Sequence, residues 1–221
     1  MKKAIVIQLV ILLLIGMMLT AGCSSEGYLP TLERHNQWVY SAVSHGTEST
    51  WTLTITREAT VLGKECYIAG VSIDPPLQGI YSITLAMEKA TCCPVTMEAS
   101  GMIPGVSSVL SESTCSYTFP EQPYWPLAVG KESTMVEKIT TVTTAMGETD
   151  TQTKTETYTC KVEKMEDVTV PAGTFKCFKL VQYDEAGKKV SVSWHSDEVR
   201  NDVKVIEYDT GMTMELESYS V

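Results

Sequence analysis

Apolar residues recur along this chain with a period of two, and that spacing constrains the fold more than any other feature. Trp51, Leu53 and Ile55 alternate with Thr52, Thr54 and Thr56, and Tyr81, Ile83, Leu85 and Met87 alternate with Ser82, Thr84 and Ala86. Val190, Val192 and Trp194 do the same with Ser191, Ser193 and His195, as do Met212, Met214 and Leu216 with Thr213, Glu215 and Glu217. Strict alternation is the mark of a half-buried strand, because successive side chains point to opposite faces. β-Branched residues throughout reinforce it. The best helical stretch, Leu85 to Ala90, is too short to stand against this pattern. The expectation is an all-β chain, an antiparallel meander forming a curved sheet or open barrel.

Residues 131–165 carry a second signal. Thr151, Thr153, Thr155, Thr157 and Thr159 take every other position, the stretch Thr134 to Thr144 is also rich in threonine, and Ala145 to Asp150 supplies a turn between them. This predicts a long hairpin with a tip polar on both faces and a base buried near Tyr158, Cys160 and Val162. Threonine suits a pleated surface, so the hairpin needs no special function to explain it. Asp74-Pro75-Pro76 marks a loop, and residues 94–126, with Pro94, Pro104, Pro120, Pro123 and Pro126, read as a long irregular one.

The amino terminus has the layout of an export signal. Lys2 and Lys3 precede an apolar stretch from Ala4 to Leu19, sixteen residues interrupted by Gln8 and Gly16. A spanning helix needs roughly 20 apolar residues, so this stretch suits a signal peptide better than a span. It ends in Leu19-Thr20-Ala21-Gly22-Cys23. Small residues before a cysteine resemble the lipobox of bacterial lipoproteins, although Thr20 stands where leucine is usual. The resemblance implies cleavage before Cys23, a diacylglyceryl group on its sulfur and an acyl chain such as palmitate on the new amino terminus. It predicts residues 1–22 as signal peptide, 23–36 as a lipidated tether and 37–221 as an extracytoplasmic domain on a cell-envelope membrane. Ser24 resembles a signal for outer-membrane sorting.

The whole chain carries a formal charge of −10, and loss of Lys2 and Lys3 would leave about −12. Nucleic acid and anionic lipid both demand clustered Lys and Arg, so neither is an expected partner of the domain. Beyond Cys23 there are Cys66, Cys92, Cys93, Cys115, Cys160 and Cys177. An even number in an exported chain predicts disulfides. Cys160 with Cys177 is the favoured pair, because both flank a hairpin; Cys92 and Cys93 are better paired with Cys66 or Cys115 than with each other.

Val168-Thr169-Val170-Pro171-Ala172-Gly173-Thr174-Phe175 reads as two strands joined by a tight turn, since proline fixes φ and glycine admits positive φ. A lead-in at Pro126-Leu127-Ala128-Val129-Gly130, this hairpin and a strand ending in Trp194 resemble a group of exported bacterial β-sheet proteins across residues 124–221. That group is similar in architecture to lipoprotein carriers and receptors whose concave sheets hold acyl chains. The resemblance implies a fold, and a fold does not fix a function.

Catalytic and metal patterns are weak. His195, Asp197 and a serine could be imagined as a triad, but residues so close in an extended chain make poor relay geometry, and no Gly-x-Ser-x-Gly elbow accompanies them. Cys92-Cys93 lacks the Cys-x-x-Cys spacing and the nearby histidine of a metal site. No cofactor motif is present. The expectation is a tethered, non-enzymatic lipoprotein that binds an apolar ligand or an envelope protein. Inward aromatics such as Trp51 and Trp194 would face the ligand. The alternative is a structural role through a sheet edge or the threonine hairpin, and an envelope hydrolase is more remote.

Overall fold

The computed structural model describes residues 26–77, 79–102, 108–123, 125–145 and 147–221. The expected signal peptide, Cys23 and Ser24 lie outside them. Among the described residues every regular element is a strand. In chain order these are β1 (Glu26–Gly27), β2 (Gln37–Ser44), β3 (Thr47–Val61), β4 (Lys64–Leu77), β5 (Ile80–Glu88), β6 (Pro94–Gly101) and β7 (Val109–Thr118). Then follow β8 (Leu127–Ala128), β9 (Glu132–Ala145), β10 (Glu148–Val170), β11 (Gly173–Asp184), β12 (Lys189–Ser196), β13 (Asn201–Glu207) and β14 (Met212–Ser220).

Twelve of these strands run up and down in sequence order and close into one antiparallel barrel. Closure is made by β14 against β2, in register from Met212 opposite Ser44 to Ser220 opposite Gln37. The all-β meander is as expected, and the sheet closes fully, which removes exposed edges around most of the circumference. The short strands β1 and β8 form a separate ladder. Of the expected tether, residues 27–36 lie on the folded body: Leu32 is buried, its N–H donates to Tyr67 Oη at 3.3 Å, and His35 N–H donates to the Ile55 carbonyl.

The alternation explains the core. Trp38, Tyr40 and Ala42 on β2, Trp51, Leu53 and Ile55 on β3, and Met212, Met214 and Leu216 on β14 all point inward and are buried. A second interior cluster gathers Trp125, Leu127, Met135, Tyr158, Cys160, Val162, Phe178 and Leu180. Outward positions on β3 and β4, such as Thr52, Thr54 and Ser72, are polar. A barrel that spans a membrane carries the reverse pattern, with an apolar band outside and a polar lumen. No helix among the described residues is long and apolar enough to cross a membrane.

Two loop expectations need correction. The proline-rich stretch from residue 94 holds strands β6 and β7, whose inward residues include the buried Ser111 and Ser113. Small polar residues at inward positions hid the alternation. The Asp74-Pro75-Pro76 segment lies within β4, where the pairing with β5 skips from Ser72 to Leu77. The ladder absorbs the prolines as an irregularity, which is where a sheet tolerates them.

The disulfide expectation also changes. No disulfide joins Cys66, Cys92, Cys93, Cys115, Cys160 and Cys177 to one another, and all six are buried. Cys160 stands opposite Gln182 and Cys177 opposite Glu166 on the β10–β11 ladder. That offset is several residues at about 3.3 Å each, well beyond the reach of a disulfide.

The Pro171-Ala172 turn closes the β10–β11 hairpin as expected, and its tip docks away from its own ladder. Ala172 N–H donates to the Leu216 carbonyl at 3.0 Å, and the Phe175 and Tyr219 rings meet edge to face at 5.7 Å. The tip thereby reaches β14, although β12 and β13 stand between them in the sheet.

Candidate functional site

The longest strand sets up the first candidate. β10 pairs with β9 from Glu148 to Lys161 but with β11 only from Tyr158 to Val170. Residues 148–157 therefore have a ladder on one side alone, and they are exposed or half-buried on both faces. Side-chain hydroxyls tie this arm to β9: Thr140 and Thr153 lie 3.0 Å apart, Thr144 and Thr149 3.4 Å. On the next strand pair, Ser113 and Thr141 lie 2.9 Å apart. These hydroxyl contacts tie neighbouring strands of the arm together.

At the root of this arm the register collects carboxylates. Glu137 on β9 is opposite Glu156 on β10, and Tyr158 on β10 is opposite Asp184 on β11. Paired residues share a face, so these side chains converge with Glu207 at the end of β13 and Asp209 in the following turn. They line a cavity of about 100 Å³ that also meets Lys154, Gln182, Val190 and Thr210. Lys154 is held by Glu156 at 2.7 Å, and Tyr158 Oη donates to the same carboxylate at 2.8 Å. Asp209 is engaged by Lys188 on the outer side.

Glu137 is the deepest of the set, only 2% exposed. Burial pushes its carboxyl up to about 7, with the Glu156 charge adding to the rise and Tyr117 and Lys154 opposing it. The Tyr117 hydroxyl faces it closely enough to oppose the rise, although Tyr117 Oη and Glu137 Oε1 stop short of full hydrogen-bond geometry. Burial also lifts Glu207 to about 8, helped by the charges of Asp209 and Asp202. Glu137 stands near buried thiols as well: Cys115 and Cys160 are each pushed up to about 12, first by burial and then by the Glu137 charge. Thiols held so far above neutrality are poor nucleophiles.

The residues singled out for catalysis lie elsewhere. His195 is fully buried on β12 and its Nδ1 is 3.3 Å from Asp202 Oδ1 on β13, not from Asp197. Burial depresses the imidazole well below its ordinary range, so it is neutral. Its Nε2 has no hydrogen-bond partner among the described residues, so none of their hydroxyls is bonded to it as a triad nucleophile would be. Asp197 sits in the β12–β13 turn with its carboxyl raised to about 6 by burial. The two tryptophans expected to face a ligand also separate. Trp51 is buried and donates to Ser49 Oγ at 2.9 Å. Trp194 lies on the other face of β12 from Ser193 and His195; its indole donates to Glu166 Oε1 at 2.8 Å beneath Lys204.

Residues 110–219 match a family described as DUF3108-like. The match runs from β7 to β14 and so takes in every strand that lines the acidic cavity. It overlaps the span in which the sequence resembles exported β-sheet proteins. No curated protein matches the chain. Among solved structures, a candidate lipoprotein from Parabacteroides distasonis is 11% identical, with a TM-score of 0.38, covering 87% of this chain and 98% of its own. A candidate exported protein with a YmcC-like fold from Bacteroides fragilis is 8% identical, with a TM-score of 0.40, covering 93% of this chain and 100% of its own.

The acidic cavity was missed in the sequence because its carboxylates come from strands far apart in the chain. One local signal was available. Met135, Glu137 and Ile139 alternate on one face of β9, so a glutamate occupies a position that the pattern marks as inward.

Proposed function

We propose that this protein is a lipid-tethered, non-enzymatic cell-envelope protein that binds another envelope protein by strand addition along residues 148–157 of β10. The observation that carries the reading is the single-sided ladder of that arm, a longer unpaired edge than those at the hairpin ends 57–61 of β3 and 164–170 of β10. An extended segment of a partner would continue the line of β11 and take up the backbone donors and acceptors left over on β10, which is how strand addition gains its affinity. The tether rests on the lipobox-like run ending at Cys23. An apolar ligand inside the barrel is less well supported, because Trp38, Tyr40, Trp51 and Phe178 fill the interior.

The test is a cross-link in cells that produce the full chain. Thr155→Cys places a thiol on the exposed arm, and Ser72→Cys places one on a strand paired on both sides. A bis-maleimide should trap one adduct of defined mass from Thr155→Cys and none of that mass from Ser72→Cys. Equal trapping from both positions would count against the arm as a docking edge.

A further inference from the structure

We infer that the cavity at the root of the β9–β10 arm binds a small organic ammonium ion. The charge balance of the cavity is one-sided. Five carboxylates line it against one lysine, and that lysine is already paired with Glu156. Glu137 adds an independent observation: it is nearly fully buried, it lines the cavity, and its Oε1 has no partner at full hydrogen-bond geometry. A buried carboxylate oxygen met only loosely, by the Tyr117 hydroxyl, is costly, and a cationic N–H donor placed in the cavity would lower that cost.

Size and donor arrangement narrow the class. The cavity volume is about 100 Å³, and a water takes about 30 Å³ in the liquid, so a guest of a few heavy atoms fits. Among the described residues no group of three or more His, Cys, Asp and Glu side chains converges as a metal ion requires. Tyr158 and Val190 line the cavity beside the carboxylates. That is a setting for a cation with an apolar side, whose ammonium group bonds to Glu137 and whose carbons touch the ring.

Calorimetric titration of the purified protein with ethylammonium chloride, in a buffer free of amines, tests this. Saturable binding is expected, weakened about tenfold or more in Glu137→Gln and in the rim variant Glu156→Gln. Tetramethylammonium, which has no N–H donor, should bind at least about tenfold more weakly. At neutral pH binding should release protons, seen as a dependence of the heat on the buffer, because the cation favours the ionised carboxylates. Absence of saturable binding overturns the proposal. So does displacement of ethylammonium by a lower concentration of calcium, or an unchanged affinity in a Glu156→Gln protein that unfolds at the wild-type temperature.

Discussion

His195 and Asp202 face each other across the β12–β13 ladder, Nδ1 to Oδ1 at 3.3 Å, with both side chains removed from solvent. Trp125 closes over the imidazole edge to face at 6.4 Å, and the Tyr40 hydroxyl donates to the Asp202 carbonyl at 2.9 Å. The histidine that looked most like a catalytic group is a bolt in the barrel wall. His195→Ala should lower stability by about 2–4 kcal/mol, from lost packing and the lost buried contact with Asp202. Urea unfolding would measure it. The pH dependence has a definite sign. The folded imidazole resists protonation while the unfolded one titrates near 6.5, so this group withdraws stability as pH falls below about 6.5. His195→Gln should remove up to about 1.4 kcal/mol per pH unit of acid-side slope between wild type and variant.

Glu207 acts in the opposite direction. Its folded carboxyl holds a proton up to about 8, whereas the unfolded one releases it near the ordinary value of 4.5. The stability it contributes is therefore present at low pH and is lost as pH rises through that interval. Glu207→Gln should be more stable than wild type at pH 9 by more than about 1 kcal/mol and close to it at pH 5. Thermal unfolding in sodium buffers at both pH values, with Tris avoided because it is itself an organic ammonium, would read the difference. A variant less stable than wild type at pH 9 would contradict the burial argument.

The cysteines should behave as core residues. Cys92, Cys93, Cys115 and Cys160 are buried, and burial holds every one of these thiols far above neutrality. Iodoacetamide should label none of the four within minutes in the folded protein and all of them in denaturant, resolved by peptide mass spectrometry. Peptides joining Cys160 to Cys177 should be absent without reductant. Their presence in folded protein would contradict the register of β10 on β11.

The fold was legible wherever inward positions carried large apolar side chains. The alternations at Trp51–Ile55, Ile83–Met87 and Met212–Leu216 mark the inward faces of β3, β5 and β14, whereas on β12 the alternation marks the strand but the inward face is the polar one, Ser191, Ser193 and His195. They failed on β6 and β7, where Gly101, Ser111 and Ser113 point inward. Gly101 has a reason of its own, since a Cβ there would sit 2.8 Å from the Gly79 carbonyl oxygen. The Cys160–Cys177 pairing failed because a hairpin predicts adjacency of strands but not of residues, and register decides contact. The acidic cavity was illegible as a whole. It depends on the closed sheet carrying Glu137 and Glu207 to the same mouth.

Closure of β14 on β2 carries a cost in time as well as a gain in edges. Every other ladder of the barrel joins strands that follow one another around it, so a chain emerging from its amino terminus can zip each hairpin as it arrives. The seam cannot form until the residues of β14 are delivered to a β2 made almost the whole domain earlier. Loop closure over such a distance is slow, and through that interval two raw margins of sheet stand open to any passing strand. Newly made protein is thus most vulnerable just before it is finished, and a chaperone that guards the half-built sheet would matter more than one that speeds any single turn.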